Sequence, residues 1–166
     1  RSVAVFGCGP AGMFSTAVAA ASGAYPVISV IKHEFRREIV KKLGANFVIN
    51  KSEDVAPFIL EKTGGVGVDA VMEMTGSQDA IDVGLQVVRK GGRFTAFGIP
   101  RESKVSLDLA GAVIFKGVNI FGINGRLMYK TWHKMQALLS SGRLNPLPVI
   151  THRFKLENIN EAMKVM

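Results

Sequence analysis

Three glycines near the start of the chain have the spacing of a phosphate-binding turn. The G-x-G-x-x-G pattern consists of Gly7, Gly9 and Gly12. It follows a short apolar run at residues 3–6 and, through Pro10 and Ala11, opens an alanine-rich helical stretch from 11 to about 21. Between a strand and a helix, such glycines permit a tight turn, close approach of a pyrophosphate and close helix–strand packing. Free N–H groups at the helix start attract phosphate, so the stretch predicts a dinucleotide site.

The second apolar run, residues 26–31, should end where the adenosine ribose lies. NAD sites usually have Asp or Glu there to accept hydrogen bonds from the ribose 2′-hydroxyl, whereas this chain has Ile31. Basic residues that would suit the 2′-phosphate of NADP follow it: Lys32, His33, Arg36 and Arg37. The alternative is that they form the solvated face of a helix whose apolar side, Phe35, Ile39, Val40 and Leu43, packs on the sheet. Both interpretations stay open, and the cofactor is NAD or NADP.

Strand and helix patterns alternate along the whole chain, which predicts an α/β fold. We expect a Rossmann-type, doubly wound six-stranded parallel sheet with helices on both faces. The predicted strands are residues 3–6, 26–31, 47–50, 68–74, 93–97 and 118–123. Predicted helices include one capped by Ser52, one capped by Ser77 with Val88 on its apolar face, and one over 128–140 whose apolar face would bury Trp132. A turn is expected at Gly91-Gly92.

Composition excludes several classes of function. The chain has 166 residues, suited to one ordinary domain, and no apolar run long enough to cross a membrane. Its net charge of +8 is spread out without an aromatic-basic motif, so we expect no nucleic-acid partner. One cysteine, Cys8, and three scattered histidines predict neither a disulfide nor a metal site. We expect a cytoplasmic protein in which Asp69 and Glu73 have structural rather than acid–base roles.

The six strands and their glycine-bearing ends resemble the coenzyme domain of the medium-chain zinc-dependent alcohol dehydrogenase superfamily. Later segments, 113–117, 122–126, 131–135 and 150–154, look like the L-threonine 3-dehydrogenase branch of it. The resemblance implies that the parent protein passes a hydride from a secondary alcohol to NAD(P), and it favours NAD slightly over NADP; it also implies a catalytic zinc in the parent protein. It also implies an adenosine side at Arg36 and a nicotinamide side at the ends of the last two strands. The nicotinamide-side residues would be Phe97, Gly98, Ile99, Ile123 and Asn124.

The same resemblance implies what this chain lacks. The superfamily builds its zinc and substrate sites before the first nucleotide-binding strand, so we expect a piece of a longer protein, inactive alone, with no catalytic or metal residues of its own. Residues 1–148 would be the dinucleotide-binding domain, and 149–166 would rejoin the catalytic domain. Pairing of sixth-strand edges predicts a homo-oligomer. Alternatives are a polyol dehydrogenase, a zinc-free reductase of the superfamily, and a non-catalytic nucleotide-sensing module.

Overall fold

Six parallel strands form one sheet at the centre of the molecule. The computed structural model describes residues 1–165. The strands are Val3–Phe6 (β1), Val27–Ile31 (β2), Phe47–Asn50 (β3), Val68–Glu73 (β4), Val88–Ala96 (β5) and Asn119–Gly122 (β6). Their order across the sheet is β3-β2-β1-β4-β5-β6, and every neighbouring pair is parallel. The predicted α/β architecture is therefore confirmed.

Helices cover both faces of the sheet because successive side chains of a strand point to opposite sides. The helices are Pro10–Ala21 (α1), Arg37–Lys42 (α2), Val55–Lys62 (α3), Gln78–Val87 (α4), Lys130–Ser140 (α5) and Ile159–Val165 (α6). On β1, Ala4 and Phe6 join the apolar cluster that also contains residues of α3 and α4. Val3 and Val5 lie in the cluster that contains Ala19 of α1. Both faces are thus buried, and the sheet is doubly wound.

The junction between α4 and β5 differs from the prediction. Ser77 is the N-cap of α4, as expected, and its hydroxyl accepts a hydrogen bond from the Ala80 N–H at 3.3 Å. Val88, however, does not lie on the helix but pairs with Val68 at the start of β5. The next pair of partners is Ala70 and Arg93, so β5 has extra residues between these two pairs, and the extra residues form a bulge. The glycines that were expected to form a turn lie in this bulge.

Two further expectations about the second and third helices are wrong. Phe35 does not face the sheet: it lies in a 3-10 turn before α2, and its side chain is 64% exposed beneath the Arg36 guanidinium. Ser52 does not cap α3, because its hydroxyl donates to the Asn50 side-chain oxygen at 3.0 Å and Asp54 occupies the N-cap position. Short polar residues can bond locally in this way instead of capping.

The last long helix, α5, exposes the face that was predicted to be core. Trp132 is 43% exposed, and the predicted partners Met128, Met135 and Leu139 are exposed as well. The helix packs instead through Leu138, which lies against the apolar cluster formed by Leu144 and buried residues of α1 and α2. Residues 150–165 are almost entirely exposed. The domain boundary expected after Pro148 stays a prediction. Met166 lies outside the described residues. No helix in the described part of the chain could span a membrane.

Candidate functional site

Each glycine of the β1–α1 turn meets a different steric demand. Gly7 has φ +88°, and a Cβ on it would come within 2.3 Å of the Thr75 methyl group. A Cβ on Gly12 would lie 1.8 Å from the Gly7 carbonyl oxygen, so α1 can pack this closely only with glycine at that position. A Cβ on Gly9 would meet nothing within 4 Å. Gly9 therefore borders open space, as expected of a backbone that a ligand approaches.

The start of α1 can accept an anion. Gly9 is the N-cap with extended dihedral angles, and Pro10, which has no N–H, occupies the first turn. Because glycine has no side chain to cap the helix, no side-chain hydrogen bond satisfies the first amides. Pro10 and Ala11 are both exposed. The unpaired amides and the positive end of the helix dipole thus face solvent beside the glycine turn.

A cleft of about 690 Å³ lies against this turn, at the carboxyl ends of the central strands. Three predicted site residues line it: Gly7, Ile31 and Lys32. The other walls are Lys51 and Val55, residues 75–80 with Val83, and parts of the loop 100–105. Sequence reasoning missed these walls. The sequence could have indicated them only through the order of its strands, because the loops after β4 and β5 leave the sheet at the same carboxyl edge as the glycine turn.

Glu73 holds the two loops that flank the cleft. Its side chain is buried, and its Oε1 accepts hydrogen bonds from the N–H groups of Thr75 at 2.6 Å and Gly76 at 3.0 Å, and from the Thr75 hydroxyl. Its backbone carbonyl accepts from the N–H groups of Phe97 and Gly98 at 3.0 and 3.1 Å. A Cβ on Gly98 would lie 2.1 Å from the Gly76 nitrogen, so the loops after β4 and β5 interlock.

Asp69 lies at the opposite, amino end of β4 and takes no part in the cleft. Its carboxylate accepts from the Arg89 Nε at 2.8 Å and from both the backbone N–H and the hydroxyl of Ser2. Burial acts to raise the pKa of Asp69, but the hydrogen bonds from Arg89 and Ser2 outweigh it and lower the pKa to about 2. This group ties the first residues of the chain to β4 and β5.

The basic residues predicted to follow β2 make different contacts from one another. Arg36 turns back to the glycine loop, where its Nη1 donates to the Cys8 carbonyl at 3.1 Å, while its Nε is buried without a partner in the described chain. Arg37 donates to the Val48 carbonyl at 2.7 Å and pairs with Glu34. Only Lys32 of the cluster lines the cleft.

The residues expected on the nicotinamide side lie further along the same sheet edge. Phe97, Gly98 and Ile99 follow β5, while Ile123 and Asn124 follow β6. Ile99 is 89% exposed, and none of these five residues lines the cleft. The Ile123 N–H donates to the Ala96 carbonyl, which keeps the two strand ends side by side. Their assignment to a ligand stays a prediction.

Comparison with known proteins identifies the family. The model of the family described as zinc-binding dehydrogenase matches residues 10–141. The chain belongs to the zinc-binding dehydrogenase family. Over the full chain it is 44% identical to the L-threonine 3-dehydrogenase of Pyrococcus abyssi, and over 99% of it 41% identical to that of Bacillus subtilis. The chain spans 48% of the length of each of these relatives.

Solved structures of zinc-binding dehydrogenases share the fold. An alcohol dehydrogenase zinc-binding domain protein from Burkholderia ambifaria superimposes with a TM-score of 0.89 at 30% identity. The match covers 98% of this chain and 44% of that protein. The relatives contain about as much sequence again.

The residues of this zinc-binding dehydrogenase chain do not fit a zinc ion. Within residues 1–165, no three His, Cys, Asp or Glu side chains come together as a metal site. The Cys8 thiol is buried in the glycine turn and faces the Val30 carbonyl oxygen at 3.6 Å. Burial raises the pKa of Cys8 to about 11, although a hydrogen bond with Ser29 and the charge of Arg36 oppose it. A thiol this hard to ionise is a poor zinc ligand.

Proposed function

We propose that this chain is the NAD(P)-binding part of a zinc-dependent secondary-alcohol dehydrogenase whose substrate is L-threonine. The observation that carries the proposal is the glycine turn, whose first glycine, Gly7, lines the cleft. After β1 the chain winds outward through β2 and β3, then returns to β4 on the other side of β1, and dinucleotides bind at this kind of reversal. Cofactor and substrate would then meet at the carboxyl edge of the sheet.

We assign the pyrophosphate to the turn from Gly7 to Gly12. The amides at the start of α1, including that of Ala11, would bond its oxygens, and the open space at Gly9 admits it. The adenosine would enter the cleft beside Ile31 and Lys32, with Arg36 on its outer side. The nicotinamide would extend toward the ends of β5 and β6, where it contacts Phe97, Gly98, Ile99, Ile123 and Asn124.

The chemistry divides between this chain and the rest of the protein. The dinucleotide, when bound, supplies a hydride acceptor for the alcohol carbon. This chain's residues bind and orient it, and we assign none of them to proton transfer or metal binding. Ligands for zinc and for the alcohol would come from the remainder of the parent protein, and the substrate assignment rests on the L-threonine 3-dehydrogenase relatives. The single buried thiol is compatible with the cytoplasmic location that we propose.

The chain should bind dinucleotide without oxidising alcohols. Isothermal titration with NAD and NADP should give saturable binding to one site, because the glycine turn and cleft are complete within this chain. Nicotinamide mononucleotide, which lacks the adenosine half, is the control and should bind much more weakly. L-Threonine and NAD together should give no NADH absorbance. If neither dinucleotide bound at millimolar concentration, the proposal would be wrong.

We also propose that two copies associate through β6. This strand is at the edge of the sheet, and Ile120 and Phe121 are both exposed on it. An apolar edge strand with unpaired backbone groups favours pairing with a second copy. Sedimentation velocity should therefore show a concentration-dependent dimer that the Ile120→Lys variant lacks. The exposed Lys90→Glu variant is the control for altered charge, and a monomer at every concentration would contradict the proposal.

A further inference from the structure

The tip of β2 cannot recognise an unmodified ribose in the usual way. Ile31 is completely buried, yet its surface forms part of the cleft wall. An isoleucine accepts no hydrogen bond, so a ribose 2′-hydroxyl placed there would lose the carboxylate partner that NAD sites commonly provide. The same position also carries no negative charge that would repel a phosphate group.

Two lysines meet beside this tip because β2 and β3 are paired in register. Ile31 is opposite Asn50, so Lys32 and Lys51 are the next residues of the two strands. The Lys51 N–H donates to the Ile31 carbonyl at 2.8 Å, which fixes the two strand ends together. Both lysines are exposed and both line the cleft. Among residues 1–165, neither ammonium group has an ion pair or a side-chain hydrogen bond.

The two carboxylates that follow these lysines in the sequence, those of Glu34 and Glu53, are engaged elsewhere, while Asp79 and Glu102 also line the cleft. Glu34 is bound by the Arg37 guanidinium and by the Asn50 amide at 3.3 Å. Glu53 accepts from the Asn50 N–H at 2.8 Å and lies 3.8 Å from Arg37. The hydrogen bond from Arg37, then that from Asn50, lowers the pKa of Glu34, which keeps it ionised and paired. Arg37 therefore pairs with both of these acids, and neither of them pairs with Lys32 or Lys51 in the described part of the chain.

From this arrangement we infer that the cleft selects NADP over NAD, with Lys32 and Lys51 binding the 2′-phosphate at the tip of β2. The inference rests on the proposed function, since it presupposes that a dinucleotide lies in the cleft. The 2′-phosphate carries nearly two negative charges, and two flexible ammonium groups on neighbouring strands can both reach such an ion.

Titration calorimetry with four ligands tests the inference on the chain as it stands. The ligands are NADP, NAD, and their adenosine halves 2′,5′-ADP and 5′-AMP. We expect NADP to bind at least about tenfold more tightly than NAD, with the same ratio for the two half-ligands, as charge-assisted contacts to a phosphate provide. Lys32→Ala and Lys51→Ala should each weaken NADP binding about tenfold and should weaken NAD binding much less.

Lys42→Ala is the matched control, since Lys42 is exposed on α2 but does not line the cleft. It should change neither affinity by more than about twofold. Ile31→Glu should reverse the preference, so that this variant binds NAD more tightly than NADP. Because position 31 is buried, circular dichroism will show whether the variant protein still folds. If it does not fold, the lysine variants decide the question. The inference would be overturned if the chain bound both dinucleotides equally or bound NAD more tightly. It would also be overturned if the lysine variants lost NAD affinity and NADP affinity equally. Both results would leave dinucleotide binding intact. Binding of neither ligand would overturn the proposed function as well.

Discussion

Replacing Gly12 with alanine should destabilise the protein strongly and abolish dinucleotide binding. The added methyl group would lie 1.8 Å from the Gly7 carbonyl oxygen, which is backbone and cannot rotate away. Helix α1 would have to move off β1, at a cost of about 3 kcal/mol in the free energy of unfolding. Urea denaturation followed by circular dichroism measures this cost, and titration calorimetry measures the loss of binding.

Gly9→Ala is the matched control for the same loop. Its methyl group would meet nothing within 4 Å, so the free energy of unfolding should fall by only about 1 kcal/mol, the difference between glycine and alanine at an N-cap. Dinucleotide binding should nevertheless weaken, because the methyl group occupies the space assigned to the pyrophosphate. The two variants thus separate packing from binding. A Gly12→Ala protein with the unfolding midpoint of the unaltered chain would contradict the packing argument.

Replacing Glu73 with glutamine should have the next largest effect. The buried Oε1 accepts from two backbone N–H groups and one hydroxyl, bonds that the glutamine oxygen can keep, but the glutamine NH₂ in place of Oε2 would face the Gly76 N–H, which lies 3.1 Å from Oε2. The clash of two donors and the loss of the acceptor's negative charge together cost about 1–3 kcal/mol, so we expect a loss of about 2 kcal/mol in the free energy of unfolding. Dinucleotide affinity should fall too, since Thr75 and Gly76 line the cleft.

Glu61→Gln is the control for the Glu73 variant. Glu61 is exposed on α3 and pairs only with its neighbour Lys62, so its loss should change the free energy of unfolding by less than about 0.5 kcal/mol. Urea denaturation of both variants at neutral pH gives the comparison. If Glu73→Gln proved as stable as Glu61→Gln, the hydrogen bonds to the loop at 75–76 would not contribute to stability in the way that we describe.

The features predicted well from sequence are those that local chemistry determines. The glycine turn is identifiable because Gly7 and Gly12 occupy positions where a Cβ is not tolerated, and the buried strands β1 and β2 are continuous apolar runs. Their alternation with helices leads directly to a parallel sheet. Ser77 was identified as a cap for the same reason, since the hydrogen bond that it makes is three residues away.

The features that could not be predicted from sequence depend on tertiary contacts between residues that are not neighbours in the sequence. Helical periodicity groups Trp132 with Met135 on one face of α5, but it does not reveal that both residues of this face stay exposed. Loop 100–105 carries no motif, and it reaches the cleft because of where β5 ends. The separate tasks of Arg36 and Arg37 likewise depend on the positions of Cys8 and Val48, which are distant in sequence.

The exposed position of Trp132 determines what fluorescence can report about this protein. It is the only tryptophan in the chain, it is already 43% exposed, and the Arg126 guanidinium lies 5.4 Å from the centre of its ring. Unfolding exposes only the part of the indole that is still covered, so we expect a smaller change in its emission than a buried tryptophan would give. Burial of the α5 face against another protein surface would instead remove water from the ring. We therefore expect tryptophan emission to respond to contact between the α5 face and another protein surface.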